Sequence, residues 1–249
     1  MRSIAIIGAT SLIAQNCAKQ WCILEDIHFI LVGRSLEKLK IVSTNLLAEN
    51  SRLQIDLIED ELINPLSIES TVNKIFDKCG AISIALIAQG YMPPQNISQK
   101  NLSQAMEVFN INGASPAMFA EAFATHMEKF SRGTIAIIGS ISGDRGRKSN
   151  YIYGAAKGMI SRYAQGLQHR FSGTGILIVL IKPGPTETPM TESLKSPKVE
   201  KLAKPESVAK IIVNGISEGK TTIYAPKKWV FLMRLIQHLP NFIFNRLNI

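Results

Sequence analysis

The segment GSISGDRGRKSNYIYGAAKG holds the residue types best suited to chemistry. Tyr153 and Lys157 stand four apart, so on a helix they share one face, a single turn from each other. A phenol ionises with a pKa of about 10, too high for easy proton exchange at neutral pH. An ammonium held about 4–6 Å away favours the phenolate by about two pKa units at an effective dielectric near ~20. The spacing therefore predicts Tyr153 as an acid/base usable near neutrality. Ser140, thirteen residues earlier and at the end of an apolar run, can set its hydroxyl on the same substrate oxygen. Against this, a Y-x-x-x-K pair can arise by chance in a chain with five tyrosines, and Tyr151 or Tyr153 would also suit a helix–helix contact.

Such a pair works only if a scaffold holds it. SIAIIGA, HFILVG, LQIDLIE, AISIALIAQG, GTIAIIGS and GILIVLIKPG are short, rich in β-branched residues and bounded by Gly or polar residues, and read as buried strands. Between them, SLIAQNCAKQWCIL, SLEKLKIVSTNLLAEN, residues 65–78, residues 104–130 and YGAAKGMISRYAQGLQHRF read as helices. Strict alternation predicts an α/β fold: a single domain built on a doubly wound parallel sheet with helices on both faces. With 249 residues, 46% of them hydrophobic, the chain can bury a substantial core. No internal repeat or long linker divides it. The domain is expected over 1–226, with a mobile, Pro/Thr/Ser/Lys-rich loop over 186–204 and a separate tail over 227–249.

In such sheets ligands sit outside the C-terminal ends of the strands, so the turn after the first strand is where phosphates would rest. That turn reads IGATSLIAQ, with one glycine, Gly8, and hydroxyl donors Thr10 and Ser11. Leu12 and Ala14 stand where the pattern G-x-x-x-G-x-G asks for glycine. Taken alone, the loop divides evenly between a nucleotide cradle and a plain strand–helix turn. The second strand ends in Val32-Gly33-Arg34-Ser35 with no acid for a ribose 2′-hydroxyl. Arg34 suits the 2′-phosphate of NADP(H), preferred on that ground over NAD(H), although a solvated turn arginine is the plainer alternative.

Composition narrows the class further. The formal net charge is +9, but no dense Lys/Arg stripe interleaved with aromatics points to nucleic acid; an anionic cofactor or a membrane surface accounts for the sign as well. The three cysteines lack CxxC spacing and the four histidines are scattered, so reduced thiols, a cytoplasmic setting and no metal are expected. The apolar start is too short for a signal peptide or a membrane span. From Tyr224 to the end there is no acid. Lys227, Lys228, Arg234 and Arg246 alternate with Trp229, Phe231, Leu235, Phe242 and Ile243, and Pro240 splits the stretch into two short helices. That pattern suits either the surface of an anionic membrane or a subunit interface or lid.

Taken together, these motifs resemble the short-chain dehydrogenase/reductase family, over essentially Ile4 to Pro226. The resemblance rests on the Gly8–Ala14 loop, Ala88-Gln89-Gly90, Asn110 in NING, Ser140, Tyr153, Lys157, and Pro183-Gly184 with Thr188 after it. It implies a Rossmann-type fold and a catalytic tetrad of Asn110, Ser140, Tyr153 and Lys157. It also implies cofactor contacts from Gly8, Thr10, Ser11, Leu12, Ile13, Arg34, Ala88, Gln89, Gly90, Tyr153, Lys157, Pro183, Gly184, Thr186 and Thr188. For the acid that contacts adenine, Asp60 and Glu61 compete, with Asp60 preferred. In the implied roles Tyr153 exchanges the proton, Lys157 holds the nicotinamide ribose, Ser140 orients the carbonyl and Asn110 supports a water-linked proton path. Homodimers or homotetramers are common in the family. GATSLIAQ, IAQGYM, KPGPTETPM and the tail also resemble the bacterial branch containing decaprenylphosphoryl 2-keto-pentose reductases, which implies a lipid-linked or otherwise anionic sugar as substrate. A non-catalytic dinucleotide-binding or scaffold protein of the same fold is the alternative, and the filled tetrad weighs against it.

Overall fold

The computed structural model describes residues 2–23, 26–194 and 202–247. Seven strands form one parallel sheet: β1 (Arg2–Ile7), β2 (Ile27–Gly33), β3 (Gln54–Glu59), β4 (Ile84–Ile87), β5 (Gly133–Ile138), β6 (Ile176–Pro183) and β7 (Thr222–Ala225). Their order is β3-β2-β1-β4-β5-β6-β7. The order reverses between β1 and β4, where the chain leaves one half of the sheet for the other and a crevice opens. The register pairs Ile7 with Val32 on one side and with Ile87 on the other, so the ends of these strands are level.

The described residues also form ten α-helices: α1 (Leu12–Cys22), α2 (Leu36–Glu49), α3 (Pro65–Cys79), α4 (Gln95–Ser98), α5 (Leu102–Phe109), α6 (Ser115–Glu128), α7 (Tyr151–Arg170), α8 (Pro205–Ser217), α9 (Trp229–His238) and α10 (Asn241–Phe244). Successive strand residues face opposite ways, so β1 feeds two cores. Ile4 and Ile6 pack with Cys17 and Trp21 of α1, Leu39 of α2 and Ile212 of α8. Ala5 and Ile7 pack with Val72 of α3, Phe123 of α6 and Ile160 of α7. With both faces covered, the strands read as continuous apolar runs, the pattern that made six of them visible in the sequence.

Two elements depart from the expected layout. β7 is a seventh strand of only four residues, TIYA, which the sequence pattern does not single out. The helix expected over 104–130 is broken by a π-helical turn at Asn110–Ala114 between α5 and α6. Pro240 does separate two short helices, α9 and α10. The loop expected to be mobile over 186–204 falls in part outside the described residues, at 195–201. Its described start is held by Thr191, whose hydroxyl donates to Thr186 O (2.5 Å) and accepts from Thr188 N–H (3.1 Å).

Candidate active site

The C-terminal ends of β1, β2, β4, β5 and β6 open onto one cavity of about 1150 Å³. At β1 the loop is built around Gly8, whose φ of +74° favours glycine. A Cβ there would also meet Gln89 N at 2.6 Å, so the turn after β1 lies directly against the turn after β4. The first intrahelical bond of α1 runs from Gln15 N–H to Ser11 O (2.9 Å). The N–H groups of Leu12, Ile13 and Ala14 therefore precede the helical ladder, and the Ser11 hydroxyl caps none of them. Thr10, Ser11, Leu12 and Ile13 line the cavity, while Ala14 is fully buried under it. Open N–H groups at a helix start, flanked by hydroxyls, fit a phosphate. Leu12 occupies the place of the pattern's second glycine and lines the cavity.

Arg34 at the end of β2 is exposed and lines the cavity together with Lys38, one turn into α2. Lys38 went unnoticed in the sequence, though its spacing from Arg34 carried the signal. Glu59, at the end of β3, accepts from Leu36 N–H (2.9 Å) at the start of α2. Asp60 corrects an expectation. Its carboxylate is buried and accepts from Leu62 N–H (2.5 Å), Ser67 Oγ (2.5 Å) and Thr71 Oγ1 (2.6 Å). It shapes the loop, in which Leu62 adopts φ of +68°, and the wall itself is made by Glu61, Leu62 and Ile63.

Ala88, Gln89 and Gly90 line the middle of the cavity, and Gln89 Nε2 donates to Ser115 Oγ (3.0 Å). Asn110 lies in the π-helical turn and also lines the cavity. Two residues later Asn112, which the sequence reading passed over, is fully buried. Its amide donates to Tyr91 O (2.7 Å) and Val108 O (2.9 Å) and its oxygen accepts from Tyr91 N–H (3.0 Å), clamping the turn after β4 onto the helix.

Ser140, Tyr153 and Lys157 meet on one wall. Lys157 is 2% exposed, its ammonium donates to Ile138 O (2.9 Å), and it lies 5.8 Å from the centre of the Tyr153 ring. Burial acts against the direction expected for the phenol from spacing alone. Burial pushes Tyr153 up to about 12, and its hydrogen bond with Ser140 pulls back only in part. Burial also pushes Lys157 down to about 7. Removing both groups from water favours their neutral forms.

Pro183, Gly184, Thr186 and Thr188 line the far end. Behind them Lys182 forms a buried ion pair with Asp144, whose other oxygen accepts from Tyr224 Oη (3.0 Å). The pair ties the loop after β5 to β6 and β7. The tail packs behind this wall, where Trp229 and Met233 meet Ile141. Trp229 lies so close to Gly184 that a Cβ there would meet its Nε1 at 2.0 Å. Thus one face of α9 is docked within the chain, while Phe231, Leu235 and Phe242 are 78%, 63% and 68% exposed. No described helix is long and apolar enough to cross a membrane.

Comparison with known proteins agrees with this arrangement. Residues 2–199 match the family model described as short chain dehydrogenase. An uncharacterized oxidoreductase of Staphylococcus epidermidis is 25% identical over 213 residues, 86% of this chain and 90% of that protein. Among solved structures, actinorhodin polyketide ketoreductase with NADPH superposes with a TM-score of 0.79 at 17% identity, covering 90% of this chain and 95% of that one. A short chain dehydrogenase from Burkholderia cenocepacia in complex with NADP gives a TM-score of 0.81 at 14% identity, with 100% of both chains covered. The chain belongs to the short-chain dehydrogenase family. It is an oxidoreductase of that family.

Losing one partner of a buried ion pair leaves a charge uncompensated, typically at several kcal/mol. Asp144→Asn is expected to lower unfolding stability by about 3–5 kcal/mol, read by denaturant titration. A loss below about 1 kcal/mol would show that the pair does not hold the wall together.

Proposed function

We propose that this protein is an NADP(H)-dependent reductase interconverting a ketone and a secondary alcohol. The observation that carries the reading is the meeting of Ser140, Tyr153 and Lys157 on one wall of a cavity whose other end offers open helix N–H groups and two cations. Gly8, Thr10, Ser11, Leu12 and Ile13 would hold the pyrophosphate, Arg34 and Lys38 the 2′-phosphate, and Pro183, Gly184, Thr186 and Thr188 the nicotinamide end. When bound, the dinucleotide supplies the hydride.

The chain's own residues handle the proton. Ser140 orients the carbonyl oxygen, and Tyr153 gives its hydroxyl proton to that oxygen as negative charge develops. A phenol raised by burial keeps its proton at neutral pH and so stands ready to donate it. Lys157 and Asn110 then return a proton to the phenolate through water. The substrate class we assign is a lipid-linked or anionic sugar ketone, as in the branch containing decaprenylphosphoryl 2-keto-pentose reductases. The exposed apolar side chains of α9 and α10, beside Lys227, Arg234 and Arg246, support contact with an anionic membrane from the cytoplasmic side.

Ketone-dependent NADPH oxidation tests the chemistry: Tyr153→Phe is expected to lower kcat by about 10²–10⁴-fold, and turnover that survives refutes the assignment. Arg34→Ala is expected to raise KM for NADPH about tenfold while leaving that for NADH within about twofold; equal effects would remove the 2′-phosphate role. Co-sedimentation with vesicles containing anionic lipid should fall for Phe231→Ser/Phe242→Ser, whose side chains support nothing in the core. Unchanged binding, or none by the wild type, ends the membrane reading.

A further inference from the structure

Two arginines flank Gly146, and the fold treats them differently. Arg145 Nη1 donates to the carbonyls of Ile236 (2.5 Å), Gln237 (3.2 Å) and Leu239 (2.6 Å), and its Nη2 to Asn241 Oδ1 (3.0 Å). Its guanidinium also lies 3.9 Å over the Phe244 ring. A cation there satisfies the last carbonyls of α9 and fixes the tail. That anchoring role is filled.

Arg147 lines the catalytic cavity instead. Its Nη2 donates only to Met233 Sδ (3.3 Å), a weak acceptor, and its Nε is buried with no partner among the described residues. Asp144, close enough to act on it electrostatically, is already held by Lys182 and Tyr224. Asn150, immediately before α7 and also lining the cavity, donates to Ser142 Oγ (3.1 Å) and leaves its own Oδ1 buried and unpartnered. The other charges on the cavity wall are accounted for elsewhere. Arg34, Lys38 and Glu61 belong to the β2 and β3 end, Lys157 lies beneath Tyr153, and Glu107 is exposed on α5. A guanidinium taken partly out of water with most of its five donors unused is matched by an oxyanion, which accepts two parallel N–H bonds. An Asn oxygen beside it accepts from a hydroxyl.

We propose that Arg147 is the specificity-determining residue for the substrate: it binds an oxyanion, carboxylate or phosphate, carried by the ketone, while Asn150 accepts from a hydroxyl next to that group. The inference rests on the ketone-reductase reading and deepens it.

The probes are two matched pairs, levulinate with methyl levulinate and dihydroxyacetone phosphate with dihydroxyacetone. Each is titrated calorimetrically into the enzyme–NADP⁺ complex and assayed for NADPH oxidation. The wild type is expected to prefer the anion of at least one pair by at least about tenfold in Kd and in kcat/KM. Arg147→Met should bring that ratio to within about twofold of unity, and Arg147→Lys, which keeps the charge but not the fork, should recover part of it. NADPH affinity of Arg147→Met should move by less than about twofold, separating this site from the cofactor's. A wild type without anion preference overturns the proposal with no substitution involved, as does a ratio unchanged in Arg147→Met or a loss confined to NADPH affinity. Arg147-dependent anion binding without turnover of any probe keeps the anion site and refutes the reductase reading. Turnover indifferent to Arg147 does the reverse.

Discussion

A lysine side chain taken out of water at the rim of the sheet sets the terms for everything around it. Among the described residues Lys157 donates to one oxygen, the carbonyl of Ile138 at the last position of β5. Burying an ammonium with so little compensation is unfavourable, and the chain tolerates it only because α7 and β5 fix both partners. That choice places a switchable charge under Tyr153 and beside the mouth of the crevice. Tyr153, desolvated in the same pocket, holds its proton more tightly than a free phenol. Burial thus favours the neutral form of both groups, and an approaching negative charge would restore the ammonium of Lys157 alone.

The remainder of the scaffold aligns loops from distant parts of the chain around that pair. The parallel sheet brings five strand ends to one level, and the reversal between β1 and β4 leaves room between their loops. Gly8 lets two of those loops touch, Asn112 clamps the second, and the Asp60 carboxylate stiffens a third. On the opposite side the buried Lys182–Asp144 pair and the Arg145 cap bind the loop after β5 to the tail. The tail therefore backs a wall of the cavity while presenting an apolar face outward. One short segment, Asp144 to Arg147, serves stability, tail docking and the cavity lining together.

Much of this was legible beforehand. Six strands showed because both sheet faces are covered, so each reads as a bounded apolar run. Tyr153, Lys157 and Ser140 showed because helical periodicity puts the first two on one face and a strand end positions the third. What stayed hidden depended on partners far along the chain. β7 is too short to carry a pattern, and it exists because β6 offers an edge. Asp60 looked like a ligand contact because its hydroxyl partners, Ser67 and Thr71, lie a loop and a turn away. Asp144 with Lys182, and Asn112 with Tyr91, pair across separations that spacing does not encode. The sign of the phenol's shift was missed for a related reason: proximity of charge can be read from spacing, whereas burial is a property of the whole fold.

The most direct test is proton uptake on NADPH binding, measured calorimetrically at pH 8 in buffers of differing ionisation heat. A lysine pushed down to about 7 is mostly neutral at that pH in the free protein. A bound polyanion favours its ammonium form, so affinity should weaken as pH rises above 7 and protons should be taken up. We expect about half a proton or more per NADPH, and close to none for Lys157→Met. Binding without proton exchange in the wild type, or the same uptake in Lys157→Met, would contradict the account.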